Sequence, residues 1–431
     1  MNRLGRILLL WLGLLSAVRG QAAGYAFNQM PSDLDQVDVY LHTVDIGNMI
    51  YTNFGHTALR IHDKVSGRDL VFNWGMFSFK DPINFGLQFY RGILNYHLGI
   101  YPYRAALAGY EAEGRKVWED RIQLTREQKH KLFEQLIFNS QPENSSFAYQ
   151  YFFDNCSTRI RDHMDTALGG IIKPATHFNH APQTFRDMVY EGYSYTPGMD
   201  LFLDIAMNSN LDRLMTLWER MFHPLYMREV YQQTQNGGMP LLTDSKVLVD
   251  FPRPESYPGL SFILVLLFFG VPLSMIGILF FLRNKLIRFL PIIYRVFALI
   301  SLPLLGFGAL VGFLMPVTWL VSDHLDLHHN ANMLLFWPID VILIVWAFAL
   351  LVQGRGWRLP VKGTLFLRRY VLVHMIVTLS MPVLRLLGLI HQDVNRAIVW
   401  VLPPYMVILF LLWRVGTEVK VKVQEQPSRA A

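Results

Sequence analysis

The sequence predicts an exported α+β domain over residues 24–235, joined by a linker at 236–257 to an all-α domain of five membrane spans over 258–415. Three observations predict it. The first is an amino-terminal secretory pattern. Arg3 and Arg6 precede an apolar run over 7–15, and small residues follow at Ala17, Gly20, Ala22 and Ala23. This reads as a signal peptide, 1–23, cleaved between Gly20 and Ala23; an uncleaved anchor is the alternative. The second is a change of composition after Tyr257. Apolar runs recur near 260–282, 293–315, 333–352, 370–390 and 397–413, each close to the ~20 residues that span a bilayer. The third is the mixture between these regions, where short alternating stretches share the chain with helix-spaced ones.

Charge fixes the orientation. Arg283, Lys285, Arg288 and Arg295 crowd one connection, and Arg355, Arg358, Lys362, Arg368 and Arg369 crowd another. The connection 316–332 has no Lys or Arg, and 391–396 has only Arg396. The positive-inside rule puts the first two connections and the 416–431 tail in the cytoplasm, and five spans then leave 24–256 outside. Residues 258–431 hold 15 Lys and Arg against 6 Asp and Glu, whereas 24–257 hold 21 against 27. The basic excess of the whole chain therefore belongs to the membrane half, which argues against a nucleic-acid partner.

Within the exported half, VDVYLHTV (37–44) reads as a strand, and NFGHTALRIHD (53–63) as a second, opened by Gly55 and His56. A turn at 65–68 leads to DLVFNW (69–74), completing an antiparallel meander. The stretch 81–103 is aromatic and glycine-punctuated, with no assigned element. Residues 113–124 read as one or two further strands. Thr125 and Gln128 form a capping box that opens a helix with Leu132, Phe133, Leu136 and Ile137 on its apolar face. From 182 to 235 the pattern is mostly helical, and its aromatics (Phe202, Trp218, Phe222, Tyr226, Tyr231) are expected in the core rather than in a lipid-facing cleft.

The single cysteine, Cys156, lies in YQYFFDNCSTRIRDHMDTAL (149–168), which reads as a strand running into a helix. One cysteine makes no intramolecular disulfide, so an exported free thiol asks for another explanation. A small buried hydrophobe is the plain one. Against it stand the polar neighbours Asp154, Asn155, Ser157 and Thr158. At a helix start, with Arg159 and Arg161 following, the thiol is expected below the ordinary ~8.5, favouring the thiolate nucleophile. Such a nucleophile needs a base. His163, seven residues on, lies about 10 Å along the helix and is excluded. His177 and His180 remain open. His56 stands out because Gly55 permits a close approach at the head of its strand.

FGHTALRI around His56, FNWGMF (72–77) and YFFDNCSTRIRD around Cys156 together resemble the Lnb-type bacterial lipoprotein N-acyltransferases. The order of histidine strand before cysteine helix is also similar to circularly permuted papain-like enzymes, the group that includes lecithin:retinol acyltransferase. The resemblance covers most of 35–168 and, more weakly, SDHLDLHHNANMLLFWP (322–338). It implies a permuted papain-like thiol domain in the periplasm, anchored in the inner membrane, that takes an acyl chain from a phospholipid through a Cys156 thioester. Family analogy gives a lipoprotein amine as acceptor. The resemblance maps the nucleophile to Cys156 and the base to His56, and implies no cofactor. Asn73, with Asp69 behind it, is assigned to orient His56, and Asn155 or the Cys156 backbone N–H to hold the oxyanion. The polar loop 316–332 is assigned to substrate through His324, His328 and Asn332. A metal site there is the weaker reading, and none is assigned. His374 and Arg385 are expected to face the bundle interior. Two rivals remain: an exported thiol hydrolase acting on peptides or lipids, and a non-catalytic envelope binding module.

Overall fold

The computed structural model describes residues 27–77 and 81–420. The signal segment and the last eleven residues lie outside the described residues.

Seven antiparallel strands form one sheet: β1 (Val37–Val44), β2 (His56–Asp63), β3 (Asp69–Met76), β4 (Asn95–Pro102), β5 (Val117–Ile122), β6 (Ser146–Ala148) and β7 (Leu242–Val249). Their order across the sheet is β7-β5-β1-β2-β3-β4-β6. The expected meander is its centre, with Leu41 opposite Leu59 and Leu59 opposite Phe72. Side chains alternate between the two faces of a strand, and each face here has its own cover. On one face α3 (Arg126–Ser140) and α4 (Cys156–Ala167) bury Leu132, Phe133, Ile160 and Met164 against Val39, Leu41, Ile61 and Trp74. The Thr125–Gln128 capping box is present at the head of α3. On the other face α2 (Tyr103–Ala112) lays Tyr110 against Val44, Val117 and Val249.

Three stretches differ from expectation. The unassigned 81–103 segment is a helix, α1 (Pro82–Arg91), followed by β4. Asp81 caps α1 through its carboxylate and Pro82 occupies its first turn, an ordinary helix start. The aromatic run before Cys156 is not a strand. Pairing stops at Ala148, and 150–154 closes into a turn through the Gln150–Asp154 bridge. The linker 236–257 is not free: β7 lies within it and pairs with β5 at the sheet edge. Beyond 180 come α5 (Phe185–Tyr193), α6 (Met199–Ala206) and α7 (Pro224–Gln233). Trp218, Phe222 and Tyr231 are buried there as core residues.

In the membrane half, α8 (Leu260–Phe281), α9 (Ile287–Val321) and α11 (Val361–Leu386) are long and apolar enough to cross a bilayer. Between α9 and α11, residues Leu325–Leu334 and Pro338–Gln353 form a pair bent by 59° that counts as a fourth candidate span, its second arm containing α10 (Val341–Gln353). The break falls at Trp337-Pro338, where proline disfavours helix in the residue before it. The last apolar run becomes a shorter helix, α12 (Leu402–Val415). His374 faces the bundle interior as expected: it is fully buried, stacked on Trp337 at 4.3 Å, with Nδ1 3.1 Å from the Asp340 carboxylate.

The two halves are bonded together at one end of the bundle. Asn208 donates through Nδ2 to the carbonyls of Leu325 and His328, at 2.8 and 2.6 Å. Asn330 donates to Ile205 and Ala206, and Gln392 to Met207. At the opposite end the 357–359 and 417–419 segments pair as parallel strands. Loops 322–332 and 391–396 thus share the side of the N-terminal domain, as the charge pattern requires.

Candidate active site

Cys156 is the first residue of α4, directly after the cap residue Asn155. The Asn155 Oδ1 accepts the N–H groups of Ser157 and Thr158, both at 2.9 Å, and its Nδ2 donates to the carbonyls of Tyr151 and Phe222. Both donor hydrogens of the Asn155 amide are therefore committed. It holds the start of α4 and offers nothing to an oxyanion.

The head of α4 meets the head of β2. Thr57 and Ser157 join hydroxyl to hydroxyl at 2.9 Å. The Cys156 sulfur lies against the Thr57 N–H, which belongs to the peptide unit joining His56 to Thr57. Gly55, with φ of 77°, starts this strand, and a Cβ there would stand 2.5 Å from the Val44 carbonyl. The Cys156 sulfur is thereby placed at the peptide unit that directly follows His56.

His56 shares its face of the sheet with Asn73 and Gly75, two and four residues along from Val71 on the neighbouring strand. A Cβ on Gly75 would fall 2.8 Å from His56 Cε1 and 3.0 Å from Asn73 Oδ1, so only glycine admits the imidazole here. Asn73 favours the charged ring, yet its Oδ1 makes no hydrogen bond of good geometry in the resting structure. Asp69 is not behind it. That carboxylate lies at the other end of β3 in a two-pronged pair with Arg60, at 2.7 and 2.8 Å.

Burial sets the protonation states. It pushes the His56 imidazole down to about 3, with the Arg115 charge adding to the shift, so the ring is a neutral base at pH 7. Burial also pushes the Cys156 thiol up, outweighing the Thr57 and Ser157 bonds that favour thiolate. The expected lowering does not occur because the two arginines point elsewhere. Arg159 grips Asp154 and lies over Phe147; Arg161 bonds Asp162 and the Trp218 carbonyl. At rest the thiol is neutral, and so is the imidazole, whose buried Nε2 has no partner.

Two residues that sequence reasoning missed stand near His56 with unpaired polar atoms. Arg115 is 5 % exposed, with Nε on the Asp45 carbonyl and Nη1 on Glu113, but its buried Nη2 is unpaired. The buried Tyr110 hydroxyl is unpaired too, its ring 6.4 Å from that of His56. The Arg115 charge acts on His56, Tyr110 and Cys156 alike. An unsatisfied buried donor costs ~1–3 kcal/mol, so unpaired donors gathered beside an unpaired base are what a polar ligand would satisfy. Nothing local in the sequence marks Arg115 or Tyr110; only the fold brings them to the thiol.

The other predicted histidines are elsewhere. His163 bonds Gln135 at 2.7 Å, and His177 and His180 are exposed beyond α4. The loop residues assigned to substrate are held by backbone. His324 Nε2 donates to the Phe89 carbonyl, His328 Nε2 to Ser322, and the fully buried Asn332 to Ile205.

Residues 25–191 match the family model described as the Lnb N-terminal periplasmic domain. The chain carries an Lnb periplasmic domain. The match takes in six strands of the sheet, both candidate residues His56 and Cys156, and the Arg115–Tyr110 pair; β7, which closes the sheet edge of the Lnb domain, lies beyond it. No curated protein and no solved structure matches the chain. Its N-terminal domain is periplasmic and is followed by a membrane-spanning helical region with three to four candidate spans.

Proposed function

We propose that this protein is a membrane-anchored cysteine acyltransferase that moves an acyl chain from a phospholipid to an amine such as a lipoprotein N-terminus. The observation that carries the reading is the contact of the Cys156 sulfur with the His56–Thr57 peptide, beside an imidazole that is neutral and unpaired. A neutral pair suits acyl transfer: the proton leaves sulfur for His56 Nε2 as the sulfur–carbon bond forms. The oxyanion of the tetrahedral species takes the free donors of Arg115 Nη2 and Tyr110. Collapse breaks the ester C–O bond, and His56 returns its proton to the departing lysophospholipid oxygen. An amine then attacks the thioester, and its C–S bond breaks. The proton lost by the amine passes through His56 back to the sulfur. Asn73 is a positioning residue for His56 in this scheme, and Asn155 a positioning residue for Cys156.

We further infer five crossings, with the bent pair and α12 as the third and fifth. The separation of 322–332 and 391–396 from 357–359 and 417–419, at opposite ends of the bundle, supports that count. Donor and acceptor lipids would both lie in the leaflet on which the N-terminal domain is bonded.

Mass spectrometry of the purified full chain after incubation with phospholipid vesicles tests the reading. An acyl adduct on Cys156, lost in His56→Ala and transferred on adding a diacylated lipopeptide, is expected. Release of free fatty acid with no gain on the lipopeptide would replace the transferase by a hydrolase. No adduct, with Cys156 alkylation indifferent to His56, would leave a binding module.

A further inference from the structure

Helix α1 leaves the sheet between β3, which carries Asn73 and Gly75, and β4. Its residues Ile83, Leu87 and Tyr90 are spaced four and three apart and so share one stripe, while Asn84, Gln88 and Arg91 share the adjacent one. Ile83 is 77 % exposed and Leu87 57 %. A soluble domain gains nothing by turning such a stripe outward.

The carboxy-terminal turn of α1 is fixed to the membrane half. The carbonyls of Tyr90 and Arg91, which a helix end leaves without partners, accept bonds from Ser322 Oγ and the Asp323 N–H at 2.6 and 2.9 Å, and the Phe89 carbonyl, which also takes the Gly92 N–H, accepts His324 Nε2 at 2.8 Å. The Tyr90 hydroxyl donates to the Leu314 carbonyl at 3.1 Å. Leu314 is seven residues before the end of α9, about 10 Å down that helix. Tyr90 therefore reaches beside the apolar length of a span. At the same end of α9, Leu320 and Val321 are exposed, as is Leu325 just beyond. Tyr90 shares its stripe with Ile83 and Leu87, so that stripe starts from beside the apolar length of α9.

We propose that α1 lies in the outer leaflet of the bilayer, its Ile83–Leu87 stripe in contact with lipid chains, as a second membrane attachment of the periplasmic domain. Asn84 and Gln88 then meet the headgroup layer, as the polar face of an in-plane helix does. The occupant is lipid rather than a second copy because four bonds within one chain hold the end of α1 against a membrane-spanning helix, with Tyr90 of the same stripe on Leu314. The inference does not depend on the thiol chemistry.

Depth measurement by spin label tests it. In full chains carrying Cys156→Ser, single cysteines are introduced as Leu87→Cys, Gln88→Cys, Lys64→Cys on an exposed turn and Phe366→Cys on the outside of α11. Each is labelled with a nitroxide in phosphatidylcholine–phosphatidylglycerol vesicles. The label at 87 is expected to behave as that at 366, open to oxygen and several-fold less open to a water-soluble nickel chelate than the label at 64; the label at 88 falls between. Protease resistance of each variant in the vesicles reports that it is inserted and folded. A label at 87 as open to nickel as that at 64 would place α1 in water. Shielding from both reagents, with dipolar broadening between labels of two molecules, would place a second copy there. Either result overturns the proposal.

Discussion

Thr57 and Ser157 share a buried hydroxyl–hydroxyl hydrogen bond of 2.9 Å, and each directly follows one member of the candidate pair, His56 and Cys156. The bond joins the first turn of a helix to the first residues of a strand, so it sets the spacing of the two chemical groups without taking part in their chemistry. Replacing either partner alone leaves a buried hydroxyl unsatisfied, a cost of ~1–3 kcal/mol. Thr57→Val and Ser157→Ala are each expected to destabilise the periplasmic domain by about that much and to weaken the dependence of Cys156 alkylation on His56. The double variant is expected to cost less than the sum of the two, as residues in contact do. Strict additivity in denaturant midpoints would show that the hydroxyls do not act as a pair.

The thiol itself gives the second prediction. With burial raising Cys156 and Arg115 opposing that rise, the pH midpoint of alkylation lies above that of an ordinary thiol. It moves higher still in Arg115→Gln. Arg159→Gln leaves it in place, because that guanidinium is spent on Asp154. Rates of iodoacetamide labelling across pH 7–11 measure all three. A midpoint lowered by helix and arginines, as the sequence alone suggests, would contradict the geometry.

That reversal shows where sequence reading stops. The site's backbone was legible: a histidine opening a strand and a cysteine opening a helix are local patterns, and His56–Asp63 and Cys156–Ala167 are those elements. So was the capping box of α3. Charge placement was not legible, since two arginines near Cys156 in sequence turn to Asp154 and Trp218, while the charge that acts on the thiol is Arg115, 41 residues away. β7 escaped because its middle residues are exposed and polar, as suits a sheet edge, so it shows no alternation. In α1 the capping signal of Asp81 and Pro82 was present, with Ile83, Leu87 and Tyr90 following at helical spacing, but Gly86 and the aromatics between them masked the period.

Acid stability follows from three histidines, His223 buried and His56 and His163 half-buried. Burial holds His56 and His223 down to about 3 and His163 to about 4, all below the ~6.5 of the unfolded chain. The unfolded state then binds more protons than the folded one between those values. The stability these residues contribute is therefore full above pH ~6.5 and drains away as pH falls toward 3–4. Trp74, whose ring lies 5.3 Å from that of His163, reports the loss by fluorescence. His163→Gln is expected to flatten the slope between pH 6.5 and 4; an unchanged slope would mean that His163 is already charged in the folded domain.

Topology is testable by fusion. A reporter active only after export is expected to work at Asp326 and to fail at Gly363 and after Lys420. Activity at Gly363 would remove the five-crossing reading, and activity after Lys420 would restrict α12 to the outer surface.

The contact between the halves gives the last prediction. His324, His328 and Asn332 donate to backbone carbonyls, and Asn332 and Asn330 reach across to residues 205–206 of the periplasmic domain. Asn208 reaches back to Leu325 and His328. A loop used this way is a clamp that bonds the periplasmic domain to the membrane half. Replacing His324, His328 and Asn332 together by alanine is then expected to reduce acyl transfer strongly while Cys156 still alkylates normally. Direct contact with substrate predicts the same result, so that triple variant alone does not separate the two roles. Asn208→Ala does, because Asn208 belongs to the periplasmic side and to no part of the loop. A clamp predicts that Asn208→Ala loses transfer to a similar degree, and that adding it to Asn332→Ala costs little more. Substrate contact predicts that Asn208→Ala transfers normally. Transfer to a lipopeptide in vesicles, with limited proteolysis between residues 193 and 213 as the readout of release, distinguishes them. If both variants transfer at full rate, the membrane half is a tether only, and a peptidase or lipase with a single anchor's needs would fit the periplasmic domain better than an acyltransferase.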